Sequence, residues 1–186
     1  MPTLFLVRHG QDTDNAADLL NGRRDTELTP LGLEQAREAA GKLQGRGIRA
    51  VLASPLRRAQ ATARIIADAL RIDPVLTDPL LIERDYGILT GKPIRDIKTY
   101  ATKVIEQGGL TYFVEAPGVE PYPALLDRAQ RFLREAAERY PDMNVLAVSH
   151  AATGRMIQAA HRGWTWEEAL KQPRFGNAEV LELPRP

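Results

Sequence analysis

The chain contains no cysteine, which excludes disulfides, thiolate nucleophiles and every zinc or iron–sulfur site that needs sulfur. That absence also leaves the redox compartment unread. Net charge is nearly absent: 25 Lys and Arg against 24 Asp and Glu leave +1, so no bulk field gathers nucleic acid or an anionic membrane, and neither is expected as a partner. Any anion site must be local. Long apolar runs are missing as well. The first, residues 4–7, is far too short for a signal-peptide core or a membrane span, and predicts a cytoplasmic protein. Lysine is scarce, with 20 of the 25 cations being Arg; that bias suits bidentate oxyanion recognition but decides nothing alone.

What remains is a globular composition. With 186 residues, 44% apolar and 26% charged, the chain suits a single domain over 1–186 with a lid or insertion at about 88–123. Residues 3–7, 48–53 and 144–148 are short apolar runs without alternation, the pattern of strands buried on both faces of a parallel sheet. Helices are predicted over 31–44, introduced by Thr29-Pro30 with Leu31, Ala36, Ala39, Ala40 and Leu43 inward, and over 56–70, introduced by Ser54-Pro55. Two more are predicted over 125–140, with Leu126, Ala129, Phe132, Leu133, Ala136 and Ala137 on one face, and over 152–161. Residues 74–77 and 179–183 read as further strands, the stretch to Thr26 as a polar loop, and 164–176 as mobile. Inside 88–123 the pattern weakens to one helix over 94–107. Strands alternating with helices predict an α/β three-layer sandwich, a mostly parallel central sheet with helices on both faces and its site beyond the carboxyl ends of the strands.

Two of the three histidines, His9 and His150, directly follow buried strands at that edge. One such histidine reads as an ordinary buried imidazole, whereas two at equivalent strand ends read as chemistry. A neutral imidazole is a competent nucleophile toward phosphorus, and a neighbouring cation such as Arg8 disfavours imidazolium and keeps the lone pair available. Phosphoryl transfer then needs charge and hydrogen-bond donors around three equatorial oxygens. Arg8, Arg58, Asn15 and His150 are the candidates. Arg57 and Arg58 stand at a helix start, which favours anions, but adjacent helical residues point about 100 degrees apart, so one of them faces solvent. The leaving oxygen needs a proton. Glu83, after apolar Leu81 and Ile82, is the carboxyl chosen for it, with apolar surroundings expected to keep that proton available; an ion pair with Arg84 is the competing reading. Arg23 and Arg24 stay open between ligands of a second anion and solvated loop residues. Tyr100, Tyr112, Phe113, Trp164 and Trp166 stay open between a substrate entrance and local packing.

Five motifs in order now carry a resemblance: Leu6-Val7-Arg8-His9-Gly10 with Asn15; Asp25 and Leu28-Thr29-Pro30-Leu31-Gly32; Ser54-Pro55-Leu56-Arg57-Arg58-Ala59; Glu83-Arg84-Asp85-Tyr86-Gly87; and Val148-Ser149-His150. Together they resemble the histidine phosphatase superfamily, the phosphoglycerate mutase-like proteins. The resemblance implies a phosphohistidine on His9, with Arg8, Arg58 and His150 around the transferred phosphoryl group, Asn15 on the substrate side and Glu83 as proton donor. It further implies substrate contacts from Asn21 and Gly22 in the loop after the first strand, from Arg84 and Tyr86, and from the backbone of Ala151. It implies no metal and no cofactor, and a small phosphate ester as partner; a homodimer is left open. Two positions depart from the family pattern: Ala151 stands where Gly is usual, and Asp12 where Ser or Thr is more frequent. Neither removes a catalytic group.

A phosphohistidine serves both phosphatases and mutases. Residues 83–87 are similar to the glycolytic mutase motif, but the stretch from Glu83 to His150 is markedly shorter than in the cofactor-dependent mutases and lacks their long Arg-Arg-Ser-Tyr-type segment. Gly91-Lys92-Pro93 and Ala116-Pro117-Gly118 look closer to the sugar-bisphosphatase branch. A shorter cap leaves a wetter site, so a phosphatase acting on a phosphoglycerate or sugar phosphate is expected, with a mutase as alternative and a non-catalytic phospholigand-binding protein as second alternative. A serine hydrolase is not supported, because no Gly-x-Ser-x-Gly elbow exists and Ser149 and His150, adjacent on a strand, face opposite ways.

Overall fold

The computed structural model describes residues 2–184. Its centre is a five-stranded sheet built from β1 (Thr3–Arg8), β2 (Ile48–Ala53), β3 (Val75–Thr77), β6 (Asn144–Ser149) and β7 (Val180–Pro184), in the order β3-β2-β6-β1-β7. All neighbours run parallel except β7, which returns antiparallel along the edge of β1. The unbroken apolar runs follow from burial on both faces. In β1, Leu4 and Leu6 enter one core and Phe5 and Val7 the other; in β6, Val145 and Ala147 oppose Leu146 and Val148 in the same way.

Two helices, α2 (Pro30–Leu43) and α3 (Arg57–Leu70), cover one face through Ala39, Ala40, Leu43, Ala59, Ala63 and Ile66. The opposite face is covered by α5 (Tyr122–Arg139) and α6 (Ala151–Arg162), through Leu125, Ala129, Phe132, Met156 and Ile157. Each large apolar side chain so buried contributes about 1.5–3 kcal/mol. The expected three layers are therefore present.

Local expectations fared unevenly. Thr29 caps α2 by accepting from the Gly32 N–H, with Pro30 at the first helical position, but Leu31 is 47% exposed and is no part of the inward stripe. Ala137 is likewise exposed, and Leu125 takes the buried position instead. Ser54 is not the cap of α3; Leu56 holds that place and the Ser54 hydroxyl is used elsewhere. The polar loop to Thr26 contains a one-turn helix, α1 (Thr13–Ala16), capped by Asp12. Residues 164–176 are not loose: α7 (Trp166–Leu170) is closed by a capping box between Thr165 and Glu168, and Phe175 is buried against Gly154.

The largest correction lies in 94–107. No long helix forms; a 3₁₀ turn and the one-turn α4 (Ile97–Tyr100) lead into a hairpin of β4 (Lys103–Gln107) and β5 (Leu110–Glu115). Gly108 and Gly109, both at positive φ, supply the two-residue turn that only glycine-like residues adopt freely. The hairpin packs through Phe113 on Leu20, Leu89 and Ile97, a small apolar cluster separate from the two main cores.

Candidate active site

Parallel pairing places Arg8 opposite Ser149, so the chain leaves β1 and β6 side by side and the two following residues are His9 and His150. Their ring centroids are 5.0 Å apart. The loop after β1 is held close: Gly10 lies against the Gly32 carbonyl, where a Cβ would come within 2.3 Å of the oxygen, and its N–H donates to the Thr62 hydroxyl of α3.

Hydrogen bonds fix the His9 tautomer. Nδ1 lies 2.7 Å from the Gly10 carbonyl oxygen, which can only accept, so Nδ1 carries the hydrogen and Nε2 keeps its lone pair. Arg58 Nε donates to that Nε2 at 3.3 Å. Burial lowers the His9 pKa well below 6.5, and the charges of Arg58 and Arg8 push it the same way. His150 is lowered by burial first, then by Arg58. Its Nε2 is 2.7 Å from the Ser54 hydroxyl, which accepts from the Leu56 N–H and has its own hydrogen to give. With the Ser54 hydroxyl donating to Nε2, Nδ1 carries the ring hydrogen; Nδ1 has no partner among the described residues.

These shifts link to stability. In the folded chain both imidazoles stay neutral at pH values where an unfolded histidine, at its ordinary 6.5, takes up a proton. The unfolded state thus binds more protons below that value, and stability that is complete above about pH 6.5 falls as pH drops, by up to about 1.4 kcal/mol per pH unit for each imidazole. Urea midpoints measured from about pH 7.5 down to about 5 are expected to decline, and a His9→Gln, His150→Gln double variant to decline less steeply.

Arg58 is 1% exposed and encircled. Nη1 donates to the Arg24 carbonyl, Nη2 to the Gly22 carbonyl, and Nε lies 3.2 Å from the Asp12 carboxylate, itself fully buried. Burial lowers the Arg58 pKa, and Asp12 is the first charge to oppose the fall. Arg57, as adjacency requires, turns outward and pairs with Glu27. Arg8 donates through Nη1 to the Phe175 carbonyl and through Nη2 to the Asn15 side-chain oxygen; burial brings its pKa down to about 10. Asn15 also accepts from Asn177.

Glu83 sits at the start of α6. Its carboxylate accepts from the backbone N–H groups of Arg84, Ala152 and Thr153 and from the Tyr86 hydroxyl. The expected apolar surroundings are corrected accordingly: polar donors converge on this carboxyl, and no ion pair with Arg84 forms. Arg84, fully buried, instead donates to the carbonyls of Glu120, Phe113 and Val114 and lies 3.7 Å above the Tyr122 ring. It braces the hairpin against the core. Tyr86 stays a neutral phenol, its pKa raised by burial and by Glu83, and its ring packs over Gly22. Asn21 donates to Asp12 and Thr26, so Asn21 and Gly22 shape the loop around Arg58. Ala151 opens α6 and is not among the positive-φ residues, so the missing glycine there brings no backbone strain.

Beside this cluster lies a cavity of about 490 Å³ whose walls include Tyr86, Ala151, Tyr112, Phe113 and Phe175. Tyr112 and Phe113 thus line the cavity, while Trp166 is not in its wall and stacks on Tyr122, which is. Arg23 and Arg24 are not free for a second anion: Arg23 pairs with Asp85 and Glu120, and Arg24 with Asp14. Three features lay outside the sequence reading: the Asp12–Arg58 ion pair, the Ser54 hydroxyl on His150, and Arg174 on the cavity wall. Among the described residues there is no cluster of metal-binding side chains, and no helix is long and apolar enough to cross a membrane.

Residues 4–184 match the model of the histidine phosphatase superfamily, branch 1. The chain belongs to that superfamily. A probable phosphoglycerate mutase of Yersinia pestis is 43% identical over 94 residues, which is 50% of this chain and 43% of the relative, so the match spans less than half the length of that protein. Among solved structures, a mycobacterial glucosyl-3-phosphoglycerate phosphatase superposes with a TM-score of 0.83 at 25% identity, covering 98% of this chain and 92% of the other. A putative alpha-ribazole-5'-P phosphatase from Escherichia coli superposes with a TM-score of 0.82 at 26% identity, covering 98% and 90%. As a histidine phosphatase superfamily member, the chain has the phosphoglycerate mutase-like architecture expected of it.

Proposed function

We propose that this chain is a metal-independent phosphomonoesterase working through a phosphohistidine on His9. One observation carries the reading: a buried, neutral His9 whose Nε2 lone pair meets, among the described residues, no carbonyl or carboxylate but the Arg58 N–H, beside Arg8 and the unpartnered Nδ1 of His150. Nε2 attacks phosphorus as the bond to the leaving oxygen breaks, and the Glu83 carboxyl supplies the proton that oxygen takes up. Arg8, Arg58 and His150 hold the equatorial oxygens, with Asn15 oriented by Arg8. Water then attacks the phosphohistidine, gives its proton back to Glu83 and releases phosphate, and Nε2 recovers its electron pair.

The cap supports water as the acceptor. Residues 88–123 contribute only short turns and one hairpin, and they bound a cavity large enough to admit solvent together with substrate. The similarity to a probable phosphoglycerate mutase keeps that reaction as the competing reading. ³¹P NMR of the protein with 3-phosphoglycerate, a trace of 2,3-bisphosphoglycerate and several sugar phosphates separates the two. Growth of inorganic phosphate is expected; interconversion of phosphoglycerates without phosphate release would establish the mutase.

Glu83→Gln, which keeps the shape of the carboxyl but cannot donate its proton, is expected to lower kcat about 10²- to 10⁴-fold for esters of alkyl alcohols. With p-nitrophenyl phosphate, whose phenolate leaves without a proton, kcat/KM, which reports formation of the phosphohistidine, should fall far less than with alkyl esters, whereas kcat, which includes the Glu83-assisted attack of water, is expected to fall with both.

A further inference from the structure

The cavity beside the histidines has apolar walls, including Leu20, Ile97, Phe113 and Phe175, and a set of basic residues among them. Most of these are already engaged. Arg84 donates to three carbonyls, as described. Arg155 donates to the carbonyls of Ala169, Leu170, Gln172 and Pro173, Lys98 pairs with Glu106, and Arg95 with Asp96. Arg174 is different: among the described residues, no carboxylate or carbonyl lies within bonding distance of its guanidinium, although it is exposed to the cavity.

Its place is nonetheless fixed from both sides. The Pro173 carbonyl accepts from Arg155, and the Phe175 carbonyl accepts from Arg8 at 2.9 Å, while the Phe175 ring is buried against Gly154. Arg174 therefore stands between two pinned neighbours, one of them tied to the arginine that precedes the nucleophile. Its charge reaches that arginine, and after burial it is the largest influence lowering Arg8. Arg8 has Glu83 and Asp12 as opposing charges, whereas Arg174 has no carboxylate within bonding distance among the described residues, so negative charge on a ligand beside Arg174 relieves the repulsion between the two cations. On the phosphomonoesterase reading, Arg8, Arg58 and His150 are taken up by the transferred phosphoryl group. The cavity itself, at about 490 Å³, is the size of sites for organic ligands and exceeds what a phosphate fills.

Resting on the phosphomonoesterase reading, we infer that Arg174 binds a second oxyanion, a carboxylate or phosphate carried by the leaving alcohol, whose apolar body occupies the cavity. Arg174 is then the residue that selects doubly anionic substrates.

The test uses the intact chain and three matched esters: phenyl phosphate, 4-carboxyphenyl phosphate and 1,4-phenylene bisphosphate. The quantity read is the ratio of kcat/KM for each doubly anionic ester to that for phenyl phosphate. Arg174→Ala is expected to lower this ratio about 10-fold, mainly through KM, the size of a charge-assisted contact. Arg174→Lys should restore much of it, and which ester responds more tells carboxylate from phosphate. A ratio within twofold of wild type overturns the inference, as does an equal fall on all three esters, which would assign Arg174 to the transferred phosphoryl group. Absence of turnover in the wild-type chain contradicts the phosphatase reading and this inference with it, whereas turnover with an unchanged ratio contradicts the inference alone.

Discussion

His9→Ala is expected to abolish phosphate release, lowering kcat by about 10⁴-fold or more, the scale of removing a nucleophile that acts in concert with its neighbours. The geometry behind this is specific. Nδ1–H is held by the Gly10 carbonyl, so Nε2 is the atom left to attack, and the Arg58 N–H that meets it stands where positive charge is needed once phosphorus bonds there. Arg8, Arg58 and His150 remain in the variant, so inorganic phosphate should still bind, measurable as protection against thermal unfolding. Loss of turnover with retained phosphate binding is the outcome that separates a nucleophile from a residue that merely holds the pocket together. Unchanged turnover would remove His9 from the mechanism.

The second large effect concerns Arg58. Replacing it with Ala should cost about 10²- to 10³-fold in kcat through lost charge stabilisation at the transferred group. It should also cost about 3–5 kcal/mol in stability, because Asp12 is left as a buried carboxylate without its partner. The two losses have different causes and can be parted. In an Asp12→Asn, Arg58→Gln double variant no buried charge is stranded, so the urea midpoint should recover most of the way while turnover stays low. Recovery of both would mean that Arg58 acts through the stability of the loop it fills.

Much of this was legible in the residue pattern, for physical reasons that differ from element to element. The apolar runs of β1 and β6 have no alternation because both faces are covered, and that feature puts His9 and His150 at equivalent strand ends; that the two strands are neighbours is set by their parallel pairing, which no run shows. Glu83 was found as the carboxyl of the site, but its surroundings were not: the Ala152 and Thr153 N–H groups that grip it come from a helix 69 and 70 positions away. Asp12 was visible as a departure from the family pattern. Its partner was not, because Arg58 lies on a different helix and nothing local couples the two. The hairpin was misread since Ile94, Ile97, Ala101, Val104 and Ile105 mimic helical spacing; the glycine pair at 108 and 109 was the stronger signal. Arg174 sits in a segment with no periodicity, and only the two carbonyl contacts on either side of it set its position.

The most direct measurement is to mix the protein with an excess of a hydrolysed ester, quench in alkali, where phosphohistidine survives, and map the labelled peptide by mass spectrometry. One phosphoryl group on the peptide carrying His9, formed faster than steady-state turnover and absent from His9→Ala, is the expected result. Steady phosphate release with no covalent label, or a label on another residue, would contradict a phosphohistidine on His9.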